Sequence, residues 1–263
     1  MNNIELAKKA KEIATKYKTL YVMGCIGAPM TEANKTRYCT NHSYNKKKAR
    51  QKMIKAASAD TFGFDCVCLI KAILWGWNGD KNKTYGGAKY KTNGVPDIGA
   101  DAMIKECSDI STDFKSVKVG EAVWCKGHIG IYIGDGLAVE ATPNWNNKVQ
   151  ITACNCSKSG YKRRNWTKHG KLPYITYVAD KADDFLPTRG YFKKGDTDPK
   201  IGKIASFMRN TFPNYTDKKA LGNYFGNYLV KSIKEFQKRT GLKADGCIGP
   251  LTLKKLQTYG FKY

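Results

Sequence analysis

The sequence predicts an α+β domain followed by a small all-α domain. Three patterns carry that expectation. Apolar residues recur at helical spacing from the N-terminus to about Trp77. From about Glu121 they alternate instead, as in strands. Beyond Arg189 the spacing is helical again. The locally acidic, proline-ended stretch VADKADDFLPTR, Val178 to Arg189, separates the two regimes. The expected division is therefore a first domain over 1–178, a linker over 179–187 and a second domain over 188–263.

Ile4, Ala7, Ala10, Ile13 or Ala14, and Tyr17 mark the first helix. NKKKARQK, from Asn45, reads as a helix start with a solvated basic face. In TFGFDCVCLI, Thr61 to Ile70, Asp65 is a good N-cap for the apolar helix that follows. Cys66 then falls in the first turn, where the helix dipole and a neighbouring imidazolium lower a thiol pKa. Cys68 points about 200° away around the helix and reads as core. The Gly-, Asn- and Lys-rich segment 78–99 reads as a long surface loop of the functional kind.

In GHIGIYIGDGLAVEATP, Ile129, Ile131 and Ile133 alternate with His128, Gly130 and Tyr132, so His128 lies on the face opposite the isoleucines. With Gly134-Asp135-Gly136 as a three-residue loop, Gly130 faces Glu140, and Glu140 shares the face of His128. A two-residue loop would turn Glu140 to the other face. Gly130 would leave room for a substrate. In the second domain, Ile201, Ile204, Phe207 and Met208 form one helical stripe, and Leu229, Ile233 and Phe236 another. Gly249-Pro250 opens a third helix, with Leu251, Leu253 and Leu256 on its apolar side.

Composition narrows the function classes. The net charge of +24 over 263 residues favours a polyanionic partner: nucleic acid, an anionic membrane or an anionic cell wall. An aromatic-basic nucleic-acid readout motif is not evident. No stretch approaches the roughly 20 apolar residues of a membrane span, so membrane insertion is not expected. The charged N-terminus lacks the apolar core of a secretion signal. With nine cysteines, an odd number, this points to reduced thiols in the cytosol. The C-x-C pairs Cys66/Cys68 and Cys154/Cys156 fit zinc spacing poorly, and neither metal nor cofactor is expected. A cysteine nucleophile needs a base, and His42, His128 and His169 are the three histidines available. A buried inert cysteine and a structural histidine are the competing reading.

FGFDCVCLI and GEAVWCKGHIGIYIGDGLAVEA together resemble the NlpC-type cell-wall cysteine peptidases, relatives of the CHAP amidohydrolases. GNYLVKSIKEFQKRTGLKADGCIGPLTLKKL resembles the three-helix peptidoglycan-binding domain, through F-Q-x-x-x-G-L at Phe236–Leu242 and D-G-x-x-G-P-x-T-x-x-x-L at Asp245–Leu256. The resemblance implies a papain-like first domain, with N-terminal helices packed on an antiparallel sheet. It implies Cys66 as nucleophile, His128 as base and acid, and Glu140 as the orienting group. Tyr21 matches a site-lining tyrosine, and Asp65 and Trp145 join it as substrate-side candidates. Trp124 could also line a groove, while Trp75 and Trp77 read as core. Two departures stand out: Val67-Cys68 replaces Ser-Gly, and Cys25 replaces a glycine. The backbone N–H of Cys66 would help hold the oxyanion. His42, His169 and the KRRN run at 162–165 read as structural or solvated.

The implied function is a peptidoglycan hydrolase cutting a stem-peptide amide, as an endopeptidase or, alternatively, an N-acetylmuramoyl-L-alanine amidase. A catalytically inert wall-binding protein is the non-enzymatic alternative. The implied partners are Gram-positive peptidoglycan and anionic wall polymers, with the chain acting as a monomer. The missing signal suits a phage endolysin held in the host cytoplasm until a holin-type partner opens the membrane.

Overall fold

The computed structural model describes residues 1–178, 185–187 and 189–263. The chain divides into two compact units, Met1–Val178 and Ala179–Tyr263. Residues 179–184 of the expected linker and Thr188, the expected first residue of the second domain, lie outside the described residues.

In the first unit, α1 (Asn3–Lys16) starts with a capping box, Asn2 and Glu5 each accepting the other's backbone N–H at 2.9 Å. Leu6, Ala7, Ala10 and Ile13 are its buried face. Ile4, expected there, is half-buried, because Leu6 stacks better with Ala10 and Ile13 on the i, i+4, i+7 row. A three-stranded sheet follows, of β1 (Thr19–Tyr21), β2 (Ile26–Pro29) and β3 (Phe62–Phe64) in the order β1-β3-β2. These strands fall where helices alone were expected; at three or four residues they are too short to show a period. Between β2 and β3 lie α2 (Glu32–Asn41), α3 (Ser43–Lys46) and α4 (Lys48–Ala56).

Every residue of α5 (Cys66–Leu74) is buried. Leu69, Ile70 and Ile73 each add about 1.5–3 kcal/mol on full burial. The 78–99 loop wraps the end of this helix: Trp75 Nε1 donates to Val95 O at 3.0 Å, and Asn93 Nδ2 to Leu74 O at 2.7 Å. Trp75 and Trp77 are core residues, as expected. After α6 (Ala100–Glu106) comes a seven-stranded sheet. Its strands are β4 (Ser108–Ser111), β5 (Ala122–Cys125), β6 (His128–Gly134), β7 (Leu137–Thr142), β8 (Lys148–Cys154), β9 (Arg163–Arg164) and β10 (Lys168–Lys171). Their order is β4-β10-β5-β6-β7-β8-β9, antiparallel except for the β8/β9 pair. Helices α1 and α5 pack on this sheet through β6 and β7.

The β6–β7 hairpin corrects the expected loop. Gly134 pairs with Leu137, so the loop is the two-residue Asp135-Gly136, both at positive φ (56° and 68°) as a type I′ turn requires. The register then slips between Tyr132 and Gly134. Ile133 is the extra residue of a bulge, which undoes the face change that a two-residue loop would impose. Ile131 pairs with Val139, so Glu140 still shares the face of His128.

Among its described residues the second unit is built on helices: α7 (Pro199–Thr211), α8 (Asn227–Arg239) and α9 (Pro250–Thr258). Asp198 caps α7, its Oδ1 accepting the Lys200 N–H at 2.8 Å. Ile201, Ile204, Met208, Leu229, Ile233, Phe236, Leu253 and Leu256 meet in the core. Leu251, expected there, is 65% exposed; Thr252 is buried in its stead, to bond Gln237.

Candidate functional site

The site forms where α5 meets β6. Asp65 is buried and both its oxygens are engaged: Oδ1 accepts the Cys68 N–H at 2.7 Å, and Oδ2 accepts the Gly24 N–H at 2.8 Å. Its work is to cap α5 and tie it to the β1–β2 turn; it presents no free oxygen toward a substrate. Cys66 opens the helix at 8% exposure. Helix α5 packs on β6, and the backbone N–H of Ile129, the residue after His128, is near enough to the Cys66 sulfur to favour its anion. The expected low thiol pKa is not what the structure gives. Burial pushes the Cys66 thiol up to about 12, and Asp65 adds to the rise. The N–H groups of Ile129, Val67 and Cys66 itself oppose it without winning, because desolvation of a buried anion outweighs them. Cys68 is buried in the core, and its thiol is likewise pushed up, by burial first and then by Asp65.

His128 Nε2 lies 2.7 Å from Glu140 Oε2. Glu140 is fully buried, so an unsupported carboxylate there would be costly. It has three supports. Thr152 Oγ1 donates to Oε1 at 2.7 Å, His128 to Oε2, and Arg164 forks onto both oxygens through Nε (3.2 and 3.1 Å) and Nη2 (2.8 Å to Oε2). Burial alone would raise this carboxyl, but His128 and Arg164 hold it below the usual range. With Nε2–H given to the carboxylate, Nδ1 is the nitrogen left to act as a base.

The Trp166 ring stacks on His128, with centroids 5.4 Å apart and planes 7° from parallel. The same ring fills the space over Gly130. A Cβ there would meet Val139 O at 2.8 Å and Trp166 carbons at 3.1 and 3.2 Å. Gly130 thus makes room for Trp166 rather than for substrate. Trp145 is 41% exposed and lies under the Arg164 guanidinium, 4.7 Å from it. Trp124 is half-buried and donates to Asp101 Oδ1 at 2.8 Å.

Tyr21 is buried beside the thiol. Burial first, then the charges of Cys66 and Asp65, push its phenol far up, so it stays a proton donor. Arg50, expected on a solvated face, is buried: Nη2 donates to Tyr21 O and Nη1 to Asn147 Oδ1 at 2.6 Å. His169 is a buried structural residue, 2.5 Å from Glu121 Oε2, and His42 sits on the surface against Gly24.

Arg164, Thr152, Trp166 and Arg50 were not legible as site residues. The spacing of KRRN is that of any solvated run, and only the parallel pairing of β9 with β8 turns Arg164 inward. Among the described residues no His, Cys, Asp and Glu cluster has the make-up of a metal site, and no helix is long and apolar enough to cross a membrane.

In the second unit the two sequence motifs line one cavity of about 420 Å³. Gln237, Asp245, Pro250 and Thr252 come from those motifs, with Tyr191 and Lys243 beside them. Gln237 knits the wall, donating to Asp245 Oδ1 (2.9 Å), Cys247 O (2.9 Å) and Thr252 Oγ1 (3.0 Å).

No curated protein matches the chain. Among solved structures it is similar to NlpC2 from Trichomonas vaginalis, at 14% identity and a TM-score of 0.35 over 65% of this chain and 46% of that one. It is also similar to the peptidoglycan hydrolase RipB from Mycobacterium tuberculosis, at 16% identity and a TM-score of 0.35 over 66% of each chain. The chain thus spans about half the length of the first of these. Residues 214–256, which hold α8, both motifs and most of α9, match the family model described as a putative peptidoglycan binding domain.

Proposed function

We propose that the chain is a cysteine hydrolase of peptidoglycan, held to the wall by its second unit. The observation that carries this reading is a thiol at a capped helix start, on a helix packed against the strand that opens with a histidine whose Nε2 rests on a buried carboxylate. Inert core cysteines have no need of that company.

Because burial raises the thiol, proton transfer from Cys66 is coupled to its attack. His128 Nδ1 takes the Cys66 proton as sulfur bonds to an amide carbonyl carbon of the stem peptide. The carbonyl oxygen gains the charge, and in this reading the Cys66 backbone N–H and the Tyr21 hydroxyl donate to it; one such donor is worth about 3 kcal/mol. Collapse breaks the C–N bond, and His128 protonates the leaving amine. Water then attacks the thioester, giving its proton to His128, which returns it to the departing sulfur. Glu140 steadies the imidazolium in both halves. Trp145 offers an exposed face along the substrate path.

The substrate is a stem-peptide bond of a Gram-positive wall, cut as an endopeptidase, and the protein serves as an endolysin released from the host cytoplasm. The +24 charge supports an anionic wall polymer as partner. The motif cavity of the second unit is the docking point for the wall.

The test is digestion of purified Gram-positive peptidoglycan, with mass spectrometry of the soluble products, beside Cys66→Ala. Stem-peptide fragments with a new amino terminus, absent from the variant, support the reading, and their masses name the bond. Wall binding without fragments from either protein would reduce the chain to a binding module.

A further inference from the structure

We infer that Arg164 is a positioning residue that keeps the His128–Glu140 pair in its proton-free form, so that His128 is available as a base. The inference rests on the proposed reading of Cys66 and His128 as the reacting pair. Its own evidence is the geometry around Glu140.

Arg164 sits on the edge strand β9, yet its side chain is only 17% exposed. All the donors that its Nε and Nη2 offer are directed at one place: both Glu140 oxygens, and Thr142 Oγ1 at 3.1 Å. A two-pronged contact of this kind fixes the carboxylate plane as well as its charge. Two tryptophans hold the guanidinium, Trp145 at 4.7 Å and Trp166 at 5.9 Å, and Trp166 in turn stacks on His128. Arg164 therefore touches the base twice over, through Glu140 and through Trp166.

The charge balance gives that contact a purpose. Other titratable groups face the pair from the flanking strands. Cys125 on β5 lies opposite His128 and senses both Arg164 and Glu140, and Cys154 on β8 senses Glu140. Both thiols are raised by burial, so neither supplies charge. Thr152 on β8 is neutral. Cys66 on α5 is raised by burial as well, and Asp101, which senses Cys125, is turned to the Gly127 N–H. Among the described residues, Arg164 is therefore the fixed positive charge in contact with the buried carboxylate and its imidazole. Without that charge a buried carboxylate beside an imidazole binds a shared proton more tightly. The base would then be occupied at pH values where catalysis needs it free.

The test is an NMR titration of the protein labelled with ¹⁵N-histidine, following the His128 ring signals, together with the acid limb of peptidoglycan hydrolysis. In Arg164→Gln, a neutral side chain that still donates hydrogen bonds, the pair should take up its proton about one pH unit higher, the lower end of what a close opposite charge does. That is a tenfold loss of free base on the acid limb. Arg164→Lys should restore most of the shift, because charge rather than fit is responsible. If Arg164→Gln fails to fold, the same substitution is made in Glu140→Gln, where no buried carboxylate is left unpaired. The transition must still move up relative to Glu140→Gln alone. A midpoint unchanged in the available neutral variant, or moved equally by lysine and glutamine, overturns the inference. The titration does not depend on catalysis, so a shift in the absence of any Cys66-dependent hydrolysis would sink the functional reading and leave this electrostatic relation standing.

Discussion

The imidazole of His128 and the indole of Trp166 lie face to face, 5.4 Å apart and within 7° of parallel. The stack is possible because Gly130, two residues along β6, has no side chain to occupy that face. Gly130→Ala should therefore act on the site through Trp166. The new methyl meets backbone Val139 O, which cannot swing away, and the indole, which must shift. We expect a loss of about 1–3 kcal/mol in urea unfolding, with hydrolysis reduced more than wall binding. Unaltered hydrolysis at lowered stability would show that the stack does not orient His128.

Glu140 makes acid stability a readout of the site. Its carboxyl is held below its ordinary value of 4.5 by His128 and Arg164. A folded pKa below the unfolded one contributes stability that is complete above the unfolded value and is lost as pH falls through the folded value. Melting temperature should thus fall between pH 4.5 and lower pH more steeply in the native protein than in Glu140→Gln. Parallel curves for the two proteins over that interval would contradict the assignment.

Asp65 joins two segments through one carboxylate. Asp65→Ala removes the α5 cap, worth about 1 kcal/mol, and also frees the Gly24 N–H. We expect destabilisation above the cap value, about 2–3 kcal/mol by denaturant titration. Hydrolysis should drop with it, since Cys66 begins the helix that loses its anchor.

Cys66 and Cys68 separate chemistry from packing. Cys66→Ser should leave the melting temperature within a few degrees of native and abolish release of peptide fragments. Cys68→Ala, at 3% exposure, should cost about 1 kcal/mol by leaving a small void and retain hydrolysis. Release of fragments by Cys66→Ser at the native rate would move the nucleophile elsewhere.

In the second unit, Gln237→Leu removes an amide that joins Asp245, Cys247 and Thr252 and accepts from Gly246 at 2.8 Å. Several buried partners are then left unpaired, at about 1–3 kcal/mol each before relaxation. Wall pull-down should weaken while hydrolysis of soluble fragments by the first unit persists. Equal loss of both would mean that the cavity is not a separate docking point.

Local periodicity and capping chemistry determined much of this protein. The helix after Asp65, the alternation of β6 and the first two apolar stripes of the second unit follow from spacing alone, because each depends on residues within one or two turns, whereas the third stripe loses Leu251 to solvent. The side shared by His128 and Glu140 was also legible, although by another route than expected: a two-residue turn and a bulge at Ile133 replace the three-residue loop. Charge and burial were not legible. Arg50 and Arg164 look like any other basic residues in a chain of net charge +24, and only pairing with distant strands and loops buries them. The thiol of Cys66 follows the same logic. A helix start favours its anion locally, but the surrounding core removes the water that the anion needs, and desolvation is a property of the whole fold. Sequence spacing places side chains on a face; the tertiary structure decides how much water, and which opposite charge, that face retains.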